Sequence, residues 1–116
     1  MAAQREDFTI EQGTTWSRQL ICKDADGQVV NISGYTARMQ VRATIKSTTV
    51  LLNLTTENGG ITIDGANGAV NLLVTPAMTT GITEPRGDYD IELVDTDSHV
   101  TRILKGVITF DPEVTR

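Results

Sequence analysis

Residues 35–42 read YTARMQVR and alternate apolar and polar side chains without a break. Tyr35, Ala37, Met39 and Val41 therefore point to one side of an extended chain, and the residues between them point to the other side. This period of two is typical of a strand with one dry face and one wet face, as antiparallel sheets have. The segment predicts a half-buried β-strand and sets the pattern by which the other strands are recognised.

Shorter stretches of the same kind follow along the chain, separated by turn signals such as Asp26-Gly27 and Asn67-Gly68. We predict further strands at residues 7–12, 15–23, 49–55, 61–63, 70–74, 89–95 and 99–111, and a short extended piece at 28–30. Short strands rich in Thr, Val and Ile between regular turn signals favour a sandwich or a barrel, and their number is close to that of an immunoglobulin-like sandwich. The sequence thus predicts an all-β fold, an immunoglobulin-like antiparallel β-sandwich of about seven to eight strands with one short helical turn.

Single residues carry further predictions. Thr75 is expected to cap the helical turn, which begins at Pro76. Gly106 marks a predicted β-bulge inside the last strand. Arg18 interrupts the apolar face of its strand with a charge. Tyr89 follows a turn at a strand start, where it is either the corner tyrosine of an immunoglobulin-like fold or an ordinary core tyrosine.

The length and charge of the chain narrow the classes of protein it can belong to. Its 116 residues predict a single domain, 1–116, with flexible ends at about 1–6 and 112–116. The net charge of −5, from 15 acidic and 10 basic side chains, argues against a nucleic-acid partner. No apolar run approaches the roughly 20 residues of a membrane helix, so no membrane partner is expected. The polar start lacks the apolar stretch of a signal peptide, which predicts retention in a cytoplasm.

The chain holds few reactive side chains. It has one histidine, His99, and one cysteine, Cys22. A catalytic triad needs a histidine beside a nucleophile and a carboxylate, and a zinc site needs several Cys or His ligands. A histidine in a turn and a distant cysteine in a strand indicate neither arrangement. We predict an exposed loop histidine and a buried, inert thiol.

Acidic residues cluster in two turns. Asp24 and Asp26 resemble the opening of a calcium loop, but the position of its closing glutamate is occupied by Tyr35. Asp95 and Asp97 form a similar pair. We interpret both as hairpin turns, with a calcium ion bound across neighbouring acidic turns as the alternative. The carboxylates at positions 57, 64, 84, 90 and 92 indicate no glycosidase pair. We therefore predict no catalytic residue, no cofactor and no metal ligand, and hence a protein that is not an enzyme.

Six segments of the sequence together carry a resemblance to a known group of proteins. They are FTIEQGTTW at 8–16, DADGQVVNISGYTARMQVR at 24–42, NGGITI at 58–63, GDYDIEL at 87–93, VTRILKG at 100–106 and PEVTR at 112–116. Together they resemble a group of small virion proteins of tailed bacteriophages. They are similar to the N-terminal sandwich domain of baseplate upper proteins and to related neck or tail accessory domains. The resemblance spans nearly the whole chain.

The resemblance implies a non-enzymatic virion structural or assembly protein, an adaptor of the tail, neck or baseplate that acts through protein–protein contacts. Its implied partners are other virion proteins and further copies of itself. Its implied location is the virion, after synthesis in the cytoplasm of the bacterial host. A capsid decoration protein with the same fold is an alternative. A carbohydrate-binding sandwich is another, although Trp16 lies within a predicted strand rather than on a loop.

Overall fold

The computed structural model describes residues 3–114, and within them the chain forms nine strands, one short α-helix and one 3₁₀ turn. The elements are β1 Gln4–Arg5, β2 Phe8–Glu11, β3 Trp16–Ile21, β4 Thr36–Arg42, β5 Val50–Thr55, β6 Ile61–Asp64, the 3₁₀ turn Gly65–Asn67, β7 Ala69–Val74, α1 Pro76–Thr79, β8 Arg86–Val94 and β9 Val100–Asp111. No helix among these residues has the length and apolar character needed to cross a bilayer.

The strands form two sheets. The larger sheet has the order β5-β4-β8-β9, and β1 and β2 follow one another along the outer edge of β9. The smaller sheet has the order β6-β7-β3. This arrangement confirms the prediction of an all-β, sandwich-like fold. The alternation that predicted β4 is also confirmed, since Ala37, Met39 and Val41 are buried.

The core lies between the inner faces of the two sheets. The smaller sheet contributes Val70, Leu72 and Val74 from its central strand, and the larger sheet contributes residues such as Met39 and Ile91. Each fully buried aliphatic side chain of this kind contributes about 1.5–3 kcal/mol relative to an exposed one. The packing of these aliphatic side chains therefore holds the two sheets together.

The larger sheet is mixed rather than purely antiparallel. Both β1 and β2 run parallel to β9, with Gln4 opposite Leu104 and Phe8 opposite Ile108. Hairpins force antiparallel pairing only between strands that they connect, and no hairpin joins the first strands to the last one. Of the expected flexible end at residues 1–6, residues 1 and 2 lie outside the described residues. Residues 4 and 5 are paired, and the Glu6 amide donates to the Lys105 carbonyl at 2.9 Å.

Two local predictions are wrong. The register shift in the β8–β9 pairing lies between Ile91 and Glu92, not at Gly106. Gly106 is needed for another reason, because the backbone carbonyl of Glu6 occupies the space where its Cβ would lie. Thr75 precedes the helix with extended backbone but makes no capping hydrogen bond with its side chain.

Hydrogen bonds at the C-terminal end of α1, rather than a cap at Thr75, fix the helix in place. The hydroxyl of Thr79, which is 0 % exposed, accepts a hydrogen bond from the Gly13 amide at 2.9 Å. The side-chain amide of Gln12 donates to the Thr79 carbonyl at 2.7 Å and also to the Ile82 carbonyl. These bonds connect the helical turn to the loop that follows β2. They satisfy backbone groups that a four-residue helix cannot satisfy internally.

Candidate functional site

A cleft of about 700 Å³ opens between the two sheets, along β3 on one side and the first half of β9 on the other. We call it the inter-sheet cleft. Its lining includes the apolar side chains of Leu20, Cys22, Tyr35, Leu93 and Leu104 together with polar residues. A concave surface that combines apolar side chains with a few polar groups is the usual form of a binding site.

One end of the cleft is closed by an ion pair between the sheets. The Arg18 guanidinium lies 2.7 and 3.0 Å from the two carboxylate oxygens of Glu6 and 5.8 Å from the centre of the Phe8 ring. Arg18 interrupts the apolar face of β3 because that strand lies at the edge of its sheet, where a charged group still reaches water. The two side chains are 41 % and 38 % exposed, so the pair contributes at most about 1 kcal/mol.

Tyr89 lies at the same end and is a core tyrosine rather than a corner tyrosine. It is buried in the middle of β8, and its hydroxyl donates to the backbone carbonyl of Glu6, 83 residues away in the chain. A corner tyrosine would bond a few residues upstream instead. Burial raises the pKa of Tyr89, and the nearby carboxylates of Glu6 and Asp7 add to this effect. The phenol therefore stays protonated and keeps its hydrogen bond.

The aromatic side chains pack together at this end of the cleft. The rings of Phe8 and Trp16 meet edge to face with centroids 5.2 Å apart, and Phe8 lies 5.4 Å from Tyr89. Trp16 is half-buried at the start of β3. These contacts give the tryptophan a packing role between the two sheets.

The other end of the cleft is formed by two turns of the same construction, Asp24 to Gln28 and Asp95 to His99. Asp24 Oδ1 accepts the backbone amides two and four residues later, at 2.9 and 3.0 Å. Asp95 Oδ1 accepts the equivalent amides at 2.8 and 2.9 Å. In both turns the first residue's amide also donates to the carbonyl of the fifth. Both acidic pairs are hairpin turns, and their leading aspartates accept backbone hydrogen bonds.

The fourth residue of each turn has left-handed backbone. It is Gly27 in the first turn, with φ of 81°, and Ser98 in the second, with φ of 66°. Glycine adopts this conformation without steric cost, whereas a residue with a Cβ does so only at a cost. The second turn therefore holds the same geometry with a less suitable residue.

The second turn brings together a potential metal-binding group. One ligand atom each of Asp95, Asp97 and His99 lies within 4.8 Å of the others. The His99 backbone amide holds the pKa of Asp95 below its ordinary value, and the Asp97 amide adds to this effect while partial burial opposes it. His99 Nδ1 lies 3.4 Å from Asp95 Oδ2. The sequence analysis paired the two aspartates and predicted only that His99 lies in an exposed turn. The closure of the turn is what brings the His99 ring beside them.

The remaining candidates for chemistry lie apart from this group. Asp90 pairs with Arg102 at 3.3 Å and Glu92 with Arg38 at 2.8 Å, both on the outer face of the larger sheet. Cross-strand ion pairs of this kind stabilise a solvated sheet face. Cys22 is half-buried in the cleft rather than fully buried, and burial raises the pKa of its thiol. A thiol in that environment is a poor nucleophile.

One free sheet edge is closed by a side chain. On β5, the Thr55 amide donates to Asn58 Oδ1 at 2.9 Å, and Asn58 Nδ2 donates to the Asn53 carbonyl at 3.0 Å. The amide group of Asn58 thus takes two of the hydrogen bonds that a neighbouring strand would make at the C-terminal end of β5. Capping of this kind is one way to keep an edge from pairing with another chain.

The edge of β3 differs, because its outward backbone groups have no partner among residues 3–114. The Cys22 amide donates to the Gly68 carbonyl, which directs Cys22 toward β7. Backbone groups alternate in direction along a strand, so Ser17, Gln19 and Ile21 direct theirs away from β7, to the open side. Part of this edge lines the inter-sheet cleft. Sequence periodicity cannot reveal such an edge, because it depends on the order of the strands.

Comparison with known proteins adds no family. No protein-family model matches the chain, and a search of curated proteins finds no match.

Proposed function

We propose that the protein is a non-enzymatic structural protein of a tailed-bacteriophage particle, an adaptor of the tail, neck or baseplate that acts through protein–protein contacts. The observation that carries this proposal is the open edge of β3 beside the inter-sheet cleft. An edge of this kind binds an extended segment through main-chain hydrogen bonds, while pockets beside it select alternate side chains. The resemblance of the sequence to small virion proteins is the reason for proposing a phage particle as the place where this contact forms.

The polar groups around the cleft favour a protein partner over a small-molecule substrate. Arg18 and Glu6 neutralise each other at one end, and Asp24 and Asp95 accept backbone hydrogen bonds at the other. What remains for a partner is apolar surface, backbone amide and carbonyl groups, and a few polar side chains such as Gln4, Gln19 and Lys23. The first two are the groups by which strands pair and sheets pack.

The proposal is tested in the phage that carries the gene. Deletion of the gene should give incomplete or non-adsorbing particles, and mass spectrometry should find the protein in purified wild-type virions. Normal infectious particles without the protein would overturn the proposal. Labelling on the head rather than on the tail would assign the protein to capsid decoration instead, and specific binding on a glycan array would favour the carbohydrate-binding alternative.

A matched pair of variants tests the edge itself. Gln19→Pro removes an amide hydrogen that faces the open side, so it should block strand addition while the β3–β7 hydrogen bonds persist. Both Gln19→Pro and the control Gln19→Thr lose the side-chain bond to Asn71, but only the control keeps the backbone amide. We expect incorporation into particles with the control and loss of incorporation with the proline variant. Equal incorporation of both would exclude the β3 edge as the contact.

A further inference from the structure

We propose that β3 pairs with β3 of a second copy of this chain, antiparallel and about a two-fold axis at Gln19. The two smaller sheets would then join into one sheet of six strands. This inference rests on the proposed function, because it names the partner that occupies the open edge. Closed two-fold dimers are the commonest soluble assemblies, and they require a surface that is complementary to itself.

The backbone of β3 meets that requirement. Ser17, Gln19 and Ile21 direct their amide and carbonyl groups to the open side, as the Cys22–Gly68 hydrogen bond establishes. With the axis at Gln19, Ser17 lies opposite Ile21 of the partner subunit, and Gln19 lies opposite Gln19 of the partner subunit. Every outward-facing residue therefore meets another outward-facing residue. Three such pairs give about six hydrogen bonds between the chains.

The exposed side chains of the smaller sheet fit the same register. Ile21 and Leu73 are each 42 % exposed, and Ser17 lies directly beside Leu73 in the β3–β7 pairing. In the paired sheet, Ile21 of the partner subunit lies against Ser17, on the same face as Leu73. Because serine is small, the two apolar side chains can meet across it. The dimer thus covers Ile21 and Leu73 of each copy.

Charge also permits this pairing. Within β3 the only charged residue is Arg18, which lies opposite Leu20 of the partner subunit and is already paired with Glu6. Lys23, just beyond the strand, lies opposite Thr15 of the partner subunit. Like charges directly opposite each other destabilise a strand pair, and this register contains none. By contrast, Asn58 already bonds the Thr55 amide and the Asn53 carbonyl at the outer edge of β5, so that edge offers fewer free backbone groups than β3.

Sedimentation of the full chain over a wide concentration range tests the inference. We expect the mass to rise from 12.6 kDa toward twice that value, weakly, because a single strand pair buries less than the roughly 1,200 Å² of a standard interface. Gln19→Pro should remain monomeric and Gln19→Thr should still dimerise. Circular dichroism of both variants shows that each is folded. A wild-type chain that stays monomeric throughout, or a dimer that Gln19→Pro leaves intact, would overturn the inference.

A crosslink tests the register. In a Cys22→Ser background, Gln19→Cys places two thiols opposite each other at the axis, with Cα atoms about 5.5 Å apart, within disulfide range. Mild oxidation should give a covalent dimer. Ser17→Cys is the matched control, since its two copies lie about 13 Å apart along the strands and should not crosslink. Equal crosslinking of both variants would exclude the axis at Gln19.

The two proposals fail separately. If the chain is monomeric but Gln19→Pro still prevents its incorporation into particles, the dimer is wrong and the adaptor role stands. If the dimer forms in solution but purified virions lack the protein, the adaptor role is wrong and the dimer stands.

Discussion

Asn58→Ala should destabilise the protein although residue 58 is exposed and contributes nothing to the core. Asn58 Oδ1 accepts the amides of Thr55 and Gly60, each at 2.9 Å, and Nδ2 donates to the Asn53 carbonyl at 3.0 Å. Each bond contributes a net 0.5–1.5 kcal/mol or so, toward the low end where water can replace the lost partner. We expect a loss of about 2 kcal/mol, out of a total stability of roughly 5–15 kcal/mol.

The measurement is urea denaturation, supported by the thermal midpoint. For a chain of this size a loss of about 2 kcal/mol lowers Tm by roughly 8 °C. Asn58→Asp keeps the two acceptor bonds but replaces the donor with an oxygen that faces the Asn53 carbonyl, so its loss should be smaller than that of the alanine variant. Asn53→Ala is the control, since that side chain makes no hydrogen bond with any residue that the structure describes.

The same variant should change association as well as stability. Removing the Asn58 side chain frees the Thr55 amide and the Asn53 carbonyl on the outer edge of β5, whose six residues carry no charge and no proline. Uncharged edges of this kind promote pairing between chains. We therefore expect Asn58→Ala, but not Asn53→Ala, to aggregate faster on mild heating. The capping argument is refuted if the free energy of unfolding of Asn58→Ala lies within about 0.5 kcal/mol of the wild-type value and hydrogen exchange at its Thr55 amide is no faster.

Three further outcomes follow from single positions. Gly106→Ala should cost about 2 kcal/mol, because the added methyl group meets the Glu6 carbonyl, and hydrogen exchange should then quicken in β1; unchanged exchange there would contradict this. Ser98→Gly should raise stability by about 0.5 kcal/mol, because relief of the left-handed strain outweighs the larger backbone entropy that glycine loses on folding. Gly27→Ser should lower stability by a similar amount, and changes of the same sign would show that the two turns differ. Backbone amides lower the pKa of Asp95 from its ordinary 3.8, so its carboxylate stabilises the fold above that pH and loses this contribution as the pH falls through the lower, folded-state pKa. Denaturation across acid pH should show a shallower decline for Asp95→Asn, and an unchanged profile would exclude this contribution.

The strands were predictable because their signal is local. Alternation in β4 places every second side chain on one face whatever the neighbouring strands are, and Ala37, Met39 and Val41 are buried accordingly. The two aspartate turns were predictable for a related reason, since the Asp side chain bonds amides within the same five residues. In both cases the interacting groups are close in sequence, so residue type and spacing suffice.

The residues whose roles the sequence left open or assigned wrongly depend on partners far along the chain. Gly106 resembles a bulge residue until β1 is placed beside it, and Tyr89 resembles a corner tyrosine until its hydroxyl meets the carbonyl of Glu6. Arg18 resembles a flaw in an apolar face until the same Glu6 reaches it from the other sheet. The segment that contains Glu6 thus explains all three roles, because it pairs in parallel with the last strand and no local pattern encodes that pairing.

The amino-acid sequence by itself determined that this chain forms strands, where most of them lie, which faces are apolar and where the acidic turns fall. Only the tertiary structure decided the order of the strands, and with it that Asn58 caps part of the β5 edge while the outward backbone groups of β3 have no partner among residues 3–114. The physical reason is that side-chain period and turn conformation act over a few residues, whereas a sheet edge exists only once every other strand has found its neighbour.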